Sequence, residues 1–358
     1  MISIHDIAAV DVLCRRHKIE PERLRRLRNA FYKKRLSAEF ALRELVEAER
    51  AQLAGQFDFH ALNCSCREDS RLDGASKLVF RTADNLALEA VILRMASGRT
   101  ALCVSTQVGC AAACDFCATG KMRLSRNLST AEILDQLVRV NQMLIGEGRQ
   151  VRNLVFMGMG EPFHNEAELF AAIDVLGDSR AFNLNLKRVM ISTVGIPAAM
   201  VRCARRYPDV RLALSLHSAR EEVRRRLMPI SQRYPLADLR AALDEVSAIS
   251  GHLVMIEYLM LKDVNDTPQD AEALIEYLCG ADVHINLIPY NPIAETPHLA
   301  PSERPRREVF SQTLKAAGFP VTTRYSLGSD IAAACGQLVR QEMSPRQWRN
   351  RSSLRVRG

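Results

Sequence analysis

The chain has 358 residues, of which 47% are hydrophobic, and it carries a formal net charge of +8. This length predicts one large domain with ample core and a smaller appendage. No apolar run reaches the roughly 18 residues of a membrane span, and the opening M-I-S-I-H-D lacks the regions of a signal peptide. We therefore expect a cytoplasmic protein. The positive charge indicates either a polyanionic partner such as nucleic acid or ordinary solubility charge.

Residues 1–75 predict a small helical domain that assists RNA binding. A helix over Pro21–Lys34 has a one-face apolar stripe, and a second helix is expected over Ala38–Gln52. The rest of the first helix is basic, through Arg23, Arg25, Arg26, Arg28, Lys33, Lys34 and Arg35. With Phe31 and Tyr32 beside it, this face is a candidate grip for RNA phosphates. The alternative is a solvated charged face.

A β-hairpin is predicted within residues 76–98. Its arms are Lys77–Arg81 and Leu86–Leu93, and the turn signal between them is Asp84-Asn85. Glu89 lies among apolar residues of the second arm. A lone carboxylate on a strand faces solvent more often than it takes part in catalysis.

From residue 99 to about 320 the pattern alternates between strand and helix. The predicted strands are Ala101–Ser105, Asn153–Gly158, Arg188–Thr193, Arg211–Leu216, Leu253–Met260 and His284–Pro289. Helices are expected from the capping box at Ser129, over Leu236–Ile249 and over Gln269–Cys279. Strands that alternate with helices predict a parallel sheet, here an α/β fold with a partial (β/α)6 TIM-type barrel. Sites on such folds lie at the C-terminal ends of the strands.

A cysteine triplet follows the first of these strands. Cys110, Cys114 and Cys117 have C-x3-C-x2-C spacing. Three thiolates on one tight loop suit a [4Fe–4S] cluster, in which they leave one iron without a protein ligand and open for catalysis. The alternatives are plain buried thiols and a zinc knuckle.

Polar residues and glycines also end the later strands. The run M-G-M-G-E-P over 157–162 includes Gly160, which allows close approach of a ligand, and Glu161, which can accept a hydrogen bond from an ammonium group. The others are Ser192, Ser215, Leu216, His217 and Asn291. Each alone is consistent with a tight turn or a helix cap, but together on one edge they predict a cofactor cradle.

The end of the chain divides into two predicted parts. Residues 321–340 contain Cys335, whose neighbours Ala334 and Gly336 leave its sulfur room. Residues 341–358 form a basic tail with Trp348 and no apolar period, which predicts a segment that is disordered alone and faces RNA if it faces any partner.

The triplet, with Phe116 just before its third cysteine, resembles the signature of radical S-adenosylmethionine enzymes. Further blocks resemble the RlmN/Cfr group of RNA methyltransferases within that superfamily. These blocks are C-V-S-T-Q-V-G-C-A-A-A-C-D-F-C-A-T-G, V-F-M-G-M-G-E-P, A-L-S-L-H-S, L-M-P-I, P-Y-N-P and G-S-D-I-A-A-A-C-G-Q-L. The resemblance covers about residues 77–340. It implies a [4Fe–4S] cluster and two S-adenosylmethionine molecules per turnover.

The same resemblance assigns roles to single residues. Cys110, Cys114 and Cys117 would hold the cluster, and Gly160, Glu161, Ser192, Ser215, Leu216, His217 and Asn291 would line the S-adenosylmethionine site. Cys335 would carry the methyl group, and Glu89 would remove the ring proton. Cys103 would then release the methylated RNA and form a transient disulfide bond with Cys335.

The implied substrate is an adenosine of 23S ribosomal RNA and, for some members, adenosine 37 of transfer RNAs. We expect carbon 2 to be methylated, as in RlmN, which Met159-Gly160-Glu161-Pro162 resembles. Carbon 8, as in Cfr, is the alternative, because N-A-F-Y-K-K-R-L-S and Y-P-D-V look closer to Cfr, and Arg123 and Leu124 replace the usual Gly and Phe. A flavodoxin or ferredoxin system would supply electrons, and we expect a monomer. Two other classes remain open: a non-catalytic iron–sulfur RNA-binding protein and a radical enzyme that modifies a peptide.

Overall fold

A computed structural model describes residues 1–338. Its twelve α-helices within that range are α1 Ile7–Arg16, α2 Pro21–Arg28, α3 Ala38–Leu42, α4 Glu47–Leu53, α5 Ala118–Lys121, α6 Thr130–Met143, α7 Glu166–Gly177, α8 Pro197–Arg206, α9 Glu221–Leu227, α10 Leu236–Ser250, α11 Pro268–Leu278 and α12 Arg304–Ala316. A π-helical turn, Asn29–Lys33, extends α2. None of the helices described is both long and apolar enough to cross a membrane.

The strands described are β1 Ile2–Ser3, β2 Phe57–Asp58, β3 Asn63–Asp69, β4 Ala75–Arg81, β5 Ala87–Arg94, β6 Thr100–Cys103, β7 Gln107–Val108, β8 Arg126–Asn127, β9 Asn153–Phe156, β10 Val189–Thr193, β11 Arg211–Ser215, β12 Val254–Met260, β13 Val283–Pro289 and β14 Val321–Thr323. Ten of them form one sheet in the order β14-β13-β12-β11-β10-β9-β6-β5-β4-β3. The strands from β6 to β14 in that sheet are parallel, and β3, β4 and β5 extend it in antiparallel fashion.

The predicted alternation of strands and helices is confirmed, and each of the six predicted core strands is present. Ser129 caps α6 through the predicted capping box, in which its side chain accepts from Glu132 and the Glu132 carboxylate accepts from Ser129. The predicted hairpin corresponds to β4 and β5, and Asn85 in its turn has a φ of 61°. The parallel strands end on one edge, which places the residues that follow them together.

Two strands of the sheet were not predicted. β14 adds a seventh parallel strand beyond β13, and β3 pairs with β4 inside the region assigned to helices. Both are edge strands with exposed positions, so neither has the apolar run that identifies a central strand. The expectation that residues 1–75 are only helical was therefore wrong at its end.

The predicted helix over Ala38–Gln52 was also wrong in detail, because the structure divides it into α3 and α4. Val46 has an extended backbone between them, and its N–H donates to the Glu49 carboxylate at 3.1 Å. The break leaves Leu45 3% exposed, so it is a core position. Burial of this leucine at the kink compensates for the helical hydrogen bonds that the break removes.

The N-terminal helices form their own apolar core against α6 and the loop after α7. Phe31 and Tyr32 are buried in it, at 1% and 5% exposure, so they are not available beside the basic face predicted to grip RNA phosphates. Arg28 is buried too and pairs with Asp11 at 2.8 Å. The aromatic part of the predicted RNA grip is therefore wrong. The basic tail predicted over 341–358 lies outside the described residues, as do 339 and 340.

Candidate active site

A cavity of about 1370 Å³, including the part open to solvent, lies at the C-terminal ends of the parallel strands. Its wall contains ten of the predicted site residues: Cys103, Cys110, Cys114, Cys117, Gly160, Glu161, Ser192, Ser215, His217 and Cys335. Residues from 103 to 335 thus meet in one place because successive parallel strands bring their C-terminal ends to one edge. This meeting at the strand ends was the main expectation from the sequence.

The cysteine loop connects β7 to α5 and packs against α9. Ala112 and Cys114 share an apolar cluster with Val223 and Leu227 of that helix. The backbone N–H of Ala112 donates to Cys110 Sγ at 3.4 Å. These contacts hold the cysteine loop in place, but they do not gather its three sulfur atoms around a single point.

Burial makes the three thiols poor acids in the protein alone. It raises the pKa of Cys110 to about 12, and it also raises the pKa values of Cys114 and Cys117. A bound metal reverses this, because its positive charge stabilises the thiolate form. Three thiols on one wall fit a cluster in which three of the four irons would each take one thiolate.

Glu161 is held by four hydrogen bonds. Its carboxylate accepts from the backbone of Phe163 and Val194 and from Thr193 Oγ1, at 3.0, 2.8 and 2.7 Å. Its own N–H donates to Gln107 Oε1 at 2.9 Å. Burial raises the pKa of Glu161 to about 7, although these hydrogen bonds act in the opposite direction. These contacts therefore hold the carboxylate in one orientation before any ligand arrives.

Two hydroxyls and an imidazole line the wall beyond Glu161. Ser192 Oγ and Ser215 Oγ lie 3.2 Å apart at the ends of β10 and β11. His217 Nδ1 accepts from the N–H of Leu259 at 3.1 Å, which assigns the ring proton to Nε2. Burial, together with the charge of Arg224, lowers the pKa of His217 to about 3. The imidazole is therefore a neutral donor, and Phe116 packs edge-on against it at 4.7 Å.

Leu216 and Asn291 do not line the cavity. The Leu216 N–H donates to the backbone oxygen of Glu257 at 3.1 Å, so this residue fixes the turn that carries His217. Asn291 Nδ2 donates to Ser326 Oγ and to the backbone oxygen of Cys335, at 3.1 and 3.2 Å. Asn291 was predicted to line the S-adenosylmethionine site, but its contacts hold the Cys335 segment.

The Cys335 segment, defined as residues 324–338, folds over the cavity. Gly336 O accepts from the N–H of Ala118, at 2.8 Å, and Leu338 O accepts from Thr119 Oγ1, at 2.6 Å. Both donors lie in α5, directly after Cys117. Cys335 is therefore tied to the helix that begins at the cysteine loop, and its sulfur reaches the same cavity as the triplet.

Cys103 ends β6 and also lines the cavity. Burial raises its pKa to about 12, and the nearby Arg324 acts in the opposite direction. Every cysteine in the described residues is a free thiol, including Cys103 and Cys335. The structure therefore does not support the disulfide bond expected between these two residues.

Glu89 is not part of the cavity wall. It lies on the same face of β5 as Val91 and Leu93, which do line the cavity, and it is 1% exposed. Its carboxylate is 4.0 Å from Lys77 Nζ. It is therefore a buried, partnered carboxylate beside the site, and not the solvent-facing group that strand statistics favour.

Sequence reasoning missed two charged residues of the wall. Glu257 on β12 is 3% exposed, and its Oε2 accepts from Asn286 at 3.0 Å while its Oε1 has no hydrogen-bond partner. Arg324 follows β14, and its Nη1 contacts Met157 Sδ at 4.0 Å. A charge inside the otherwise apolar strand over 254–260 was the available signal for Glu257. No sequence signal pointed to Arg324, because the strand β14 before it was not predicted.

Comparisons with known proteins agree with this geometry. The Radical SAM superfamily matches residues 104–278. A "Probable RNA methyltransferase" of Rhodopirellula baltica is 50% identical over 333 residues, 93% of this chain and 86% of its own length. A "Probable dual-specificity RNA methyltransferase RlmN" of Symbiobacterium thermophilum is 38% identical over 298 residues, which are 83% and 80% of the two chains.

One solved structure is similar over nearly the whole chain. It is a radical SAM methyltransferase from Sphaerobacter thermophilus, 35% identical, with a TM-score of 0.91 over 95% of this chain and 100% of the other. Extensive sequence identity to these relatives shows family membership more firmly than a shared fold does. This chain therefore belongs to the RlmN/Cfr family of radical SAM methyltransferases, enzymes that use a [4Fe–4S] cluster and S-adenosylmethionine.

Proposed function

We propose that this enzyme methylates carbon 2 of an adenosine in 23S ribosomal RNA, and also adenosine 37 of transfer RNAs, through a methyl group carried on Cys335. The observation that carries the proposal is that Cys335 and Cys103 line the same cavity as the cysteine triplet. Most uses of a radical cofactor need no such pair of thiols. The RNA named for the relatives and the net charge of +8 support an RNA substrate.

The bound cluster and S-adenosylmethionine supply carbon-radical chemistry, which suits an electron-poor ring carbon that cannot attack a sulfonium methyl. Cys110, Cys114 and Cys117 hold the cluster. Gly160 lets S-adenosylmethionine approach the backbone closely, and Glu161 accepts hydrogen bonds from it. Polar contacts around this ligand come from Ser192, Ser215 and His217. Leu216 acts through the turn that carries His217. Asn291 acts through the Cys335 segment, which it holds.

Cys335 is the nucleophile that accepts a methyl group by displacement, after losing its thiol proton. Cys103 is the thiol that releases the methylated RNA. Glu89 is the base for the ring proton, supported by its place on β5 beside Val91. Glu89 lies on the face of β5 that borders the cavity, without itself lining the wall.

The partners follow from the same chemistry. A flavodoxin or ferredoxin system delivers electrons to the cluster, and the enzyme acts as a monomer in the cytoplasm. Residues 1–75 assist RNA binding through charge, residues 76–98 extend the sheet, 99–320 form the core, and 321–340 bring Cys335. Carbon 8 is the competing product, as in Cfr, because N-A-F-Y-K-K-R-L-S and Y-P-D-V look closer to Cfr, and Arg123 and Leu124 depart from the usual pattern.

The test uses reconstituted protein, a 23S ribosomal RNA fragment and methyl-labelled S-adenosylmethionine. Wild type should yield labelled 2-methyladenosine, identified by mass spectrometry against standards for both carbons. Cys335→Ala should give no product, and Cys103→Ala should accumulate a protein–RNA adduct. Cys279→Ala changes an exposed cysteine away from the cavity and is the matched control.

Three results would contradict the proposal. Full turnover by Cys335→Ala or Cys103→Ala would remove the two thiols from the mechanism. Reconstituted protein that makes no 5′-deoxyadenosine would favour a non-catalytic RNA-binding protein. Binding to RNA that does not weaken with salt would favour a peptide substrate instead.

A further inference from the structure

Arg224 is a fully buried arginine of α9, with 0% exposure. Its Nη2 donates to the backbone oxygen of Val194 at 2.7 Å and its Nε to that of Leu216 at 3.2 Å. Within the part of the chain that the structure describes, its Nη1 is buried without a hydrogen-bond partner. No carboxylate within residues 1–338 lies in ion-pair distance of it. The next two residues, Arg225 and Arg226, are exposed, so only the first of three consecutive arginines enters the interior.

A buried guanidinium without an anion is costly, because the protein interior does not replace the water that solvated its charge. Two backbone oxygens accept from two of its five N–H donors, but they bring no negative charge. Burial accordingly lowers the pKa of Arg224, and among its neighbours Cys114, Glu221 and the neutral phenol of Tyr277 act in the opposite direction. Glu221 is partly exposed to solvent, which screens it.

Cys114 is the neighbour whose charge depends on the cofactor. α9 and the cysteine loop are in direct contact, since the N–H of Asp115 donates to Leu227 O at 2.8 Å and Cys114 packs with Val223 and Leu227. Arg224 lies on α9 between Val223 and Leu227, the two residues that pack with Cys114. In the loaded protein this thiol is a thiolate bound to iron, and the cluster with its three thiolates carries net negative charge.

We propose that Arg224 is the buried countercharge of the iron–sulfur cluster, a positioning residue that makes the cluster easier to reduce. Reduction adds one more negative charge to the site, so a fixed cation beside Cys114 stabilises the reduced form more than the oxidised form. The same guanidinium ties the turns after β10 and β11 to α9 through its two backbone acceptors. It thereby holds the cysteine loop and the wall that contains His217 in one arrangement.

The experiment measures the reduction midpoint of the cluster in the full chain, reconstituted without S-adenosylmethionine or RNA, by spectroelectrochemistry and electron paramagnetic resonance. Arg224→Met should shift the midpoint to more negative values. At the potential that half-reduces wild type, the ratio of reduced to oxidised cluster should fall about tenfold, which is about 59 mV for one electron. Arg224→Lys keeps the charge and should stay near wild type. Arg226→Met removes an exposed charge of the same helix and should have no effect.

An unchanged midpoint in Arg224→Met would overturn the proposal. Equal shifts in the Met and Lys variants would also overturn it, because they would assign the effect to the lost backbone contacts and not to charge. Arg224→Gln, which is neutral but retains donors, provides a second neutral variant. If the neutral variants bind too little iron for titration, uptake by Arg224→Lys alone supports the countercharge, and failure of all three overturns it. None of these measurements involves RNA methylation.

Discussion

At the scale of single residues, the site depends on buried polar groups that the backbone orients. Glu161 and His217 both receive N–H donors from neighbouring strand ends, at Val194 and Leu259. Because these groups are already fixed when the ligand arrives, their side chains lose little conformational entropy on ligand binding. The expected consequence is that small backbone changes near these residues affect the cofactor site more than their size suggests.

Gly160→Ala tests this directly. Gly160 has a φ of 97°, and a Cβ there would lie 2.5 Å from Gln107 Cβ, the side chain that accepts from the Glu161 N–H. We expect at least tenfold weaker S-adenosylmethionine binding and a loss of about 1–3 kcal/mol in the free energy of unfolding. Equilibrium dialysis on reconstituted protein and urea unfolding measure the two effects.

The matched control is Gly98→Ala. Gly98 also has a positive φ, 80°, but a Cβ there would meet nothing within 4 Å. It therefore carries the backbone strain of the left-handed region without the clash at Gln107. Binding that falls equally in both variants would contradict the importance of the Gly160 contact.

At the scale of elements, the Cys335 segment is fastened to the turn between β3 and β4. Asp330 accepts from Ser70 Oγ at 2.7 Å and from the N–H of Arg71 at 2.9 Å, and Asp73 accepts from the N–H of Gly328 at 2.8 Å. The antiparallel extension of the sheet thus acts on Cys335 from outside the parallel core. This connection gives the extension a mechanical role that its sequence does not reveal.

Breaking the connection should expose Cys335. In Asp73→Ala/Asp330→Ala we expect the rate of Cys335 alkylation by iodoacetamide to rise severalfold, because the segment opens more often. Peptide mass spectrometry follows each cysteine separately. Asp84→Ala is the control, since Asp84 pairs with Arg126 at 2.6 Å in the other turn of β4. Equal alkylation in all variants would show that the α5 contacts alone hold the segment.

The sequence predicted the central elements and missed the edges for a physical reason. Central parallel strands such as β12 and β13 are buried on both faces, and their apolar runs identify them. β3, with the sequence N-C-S-C-R-E-D, alternates exposed and partly buried positions and contains mostly polar residues. Its pairing with β4 is a tertiary contact that no local pattern encodes.

At the scale of the whole molecule, the same distinction separates the predicted site from the complete one. Motif residues are recognisable because each follows its own strand or loop in a known order. Arg224, Glu257 and Arg324 act at the site only because distant elements pack together, and nothing near them in sequence marks one buried arginine among several exposed ones. Prediction from sequence therefore identified the chemistry and left out much of the electrostatic environment.

The N-terminal helices are joined to the core through buried contacts that should make the chain's stability depend on pH. His5 is 3% exposed, its Nδ1 lies 3.1 Å from Tyr32 Oη, and its Nε2 has no partner. It stacks on Phe182, which follows α7, at 6.3 Å. Burial lowers the pKa of His5 to about 4, while the Asp135 carboxylate raises it and His60 lowers it further.

The sign of the effect follows from this depressed pKa. Between pH 6.5 and 4 the unfolded chain binds a proton at His5 and the folded chain does not, so folding stability from this residue is lost as the pH falls. His5→Phe keeps the ring packing and removes the titration. At each pH, the effect of the variant is its free energy of unfolding minus that of wild type. This effect should be about 2 kcal/mol more favourable at pH 5 than at pH 7.5. Urea unfolding of the full chain at the two pH values measures this difference. The same change at both values would mean that water reaches the imidazole, and that the N-terminal helices open independently of the core.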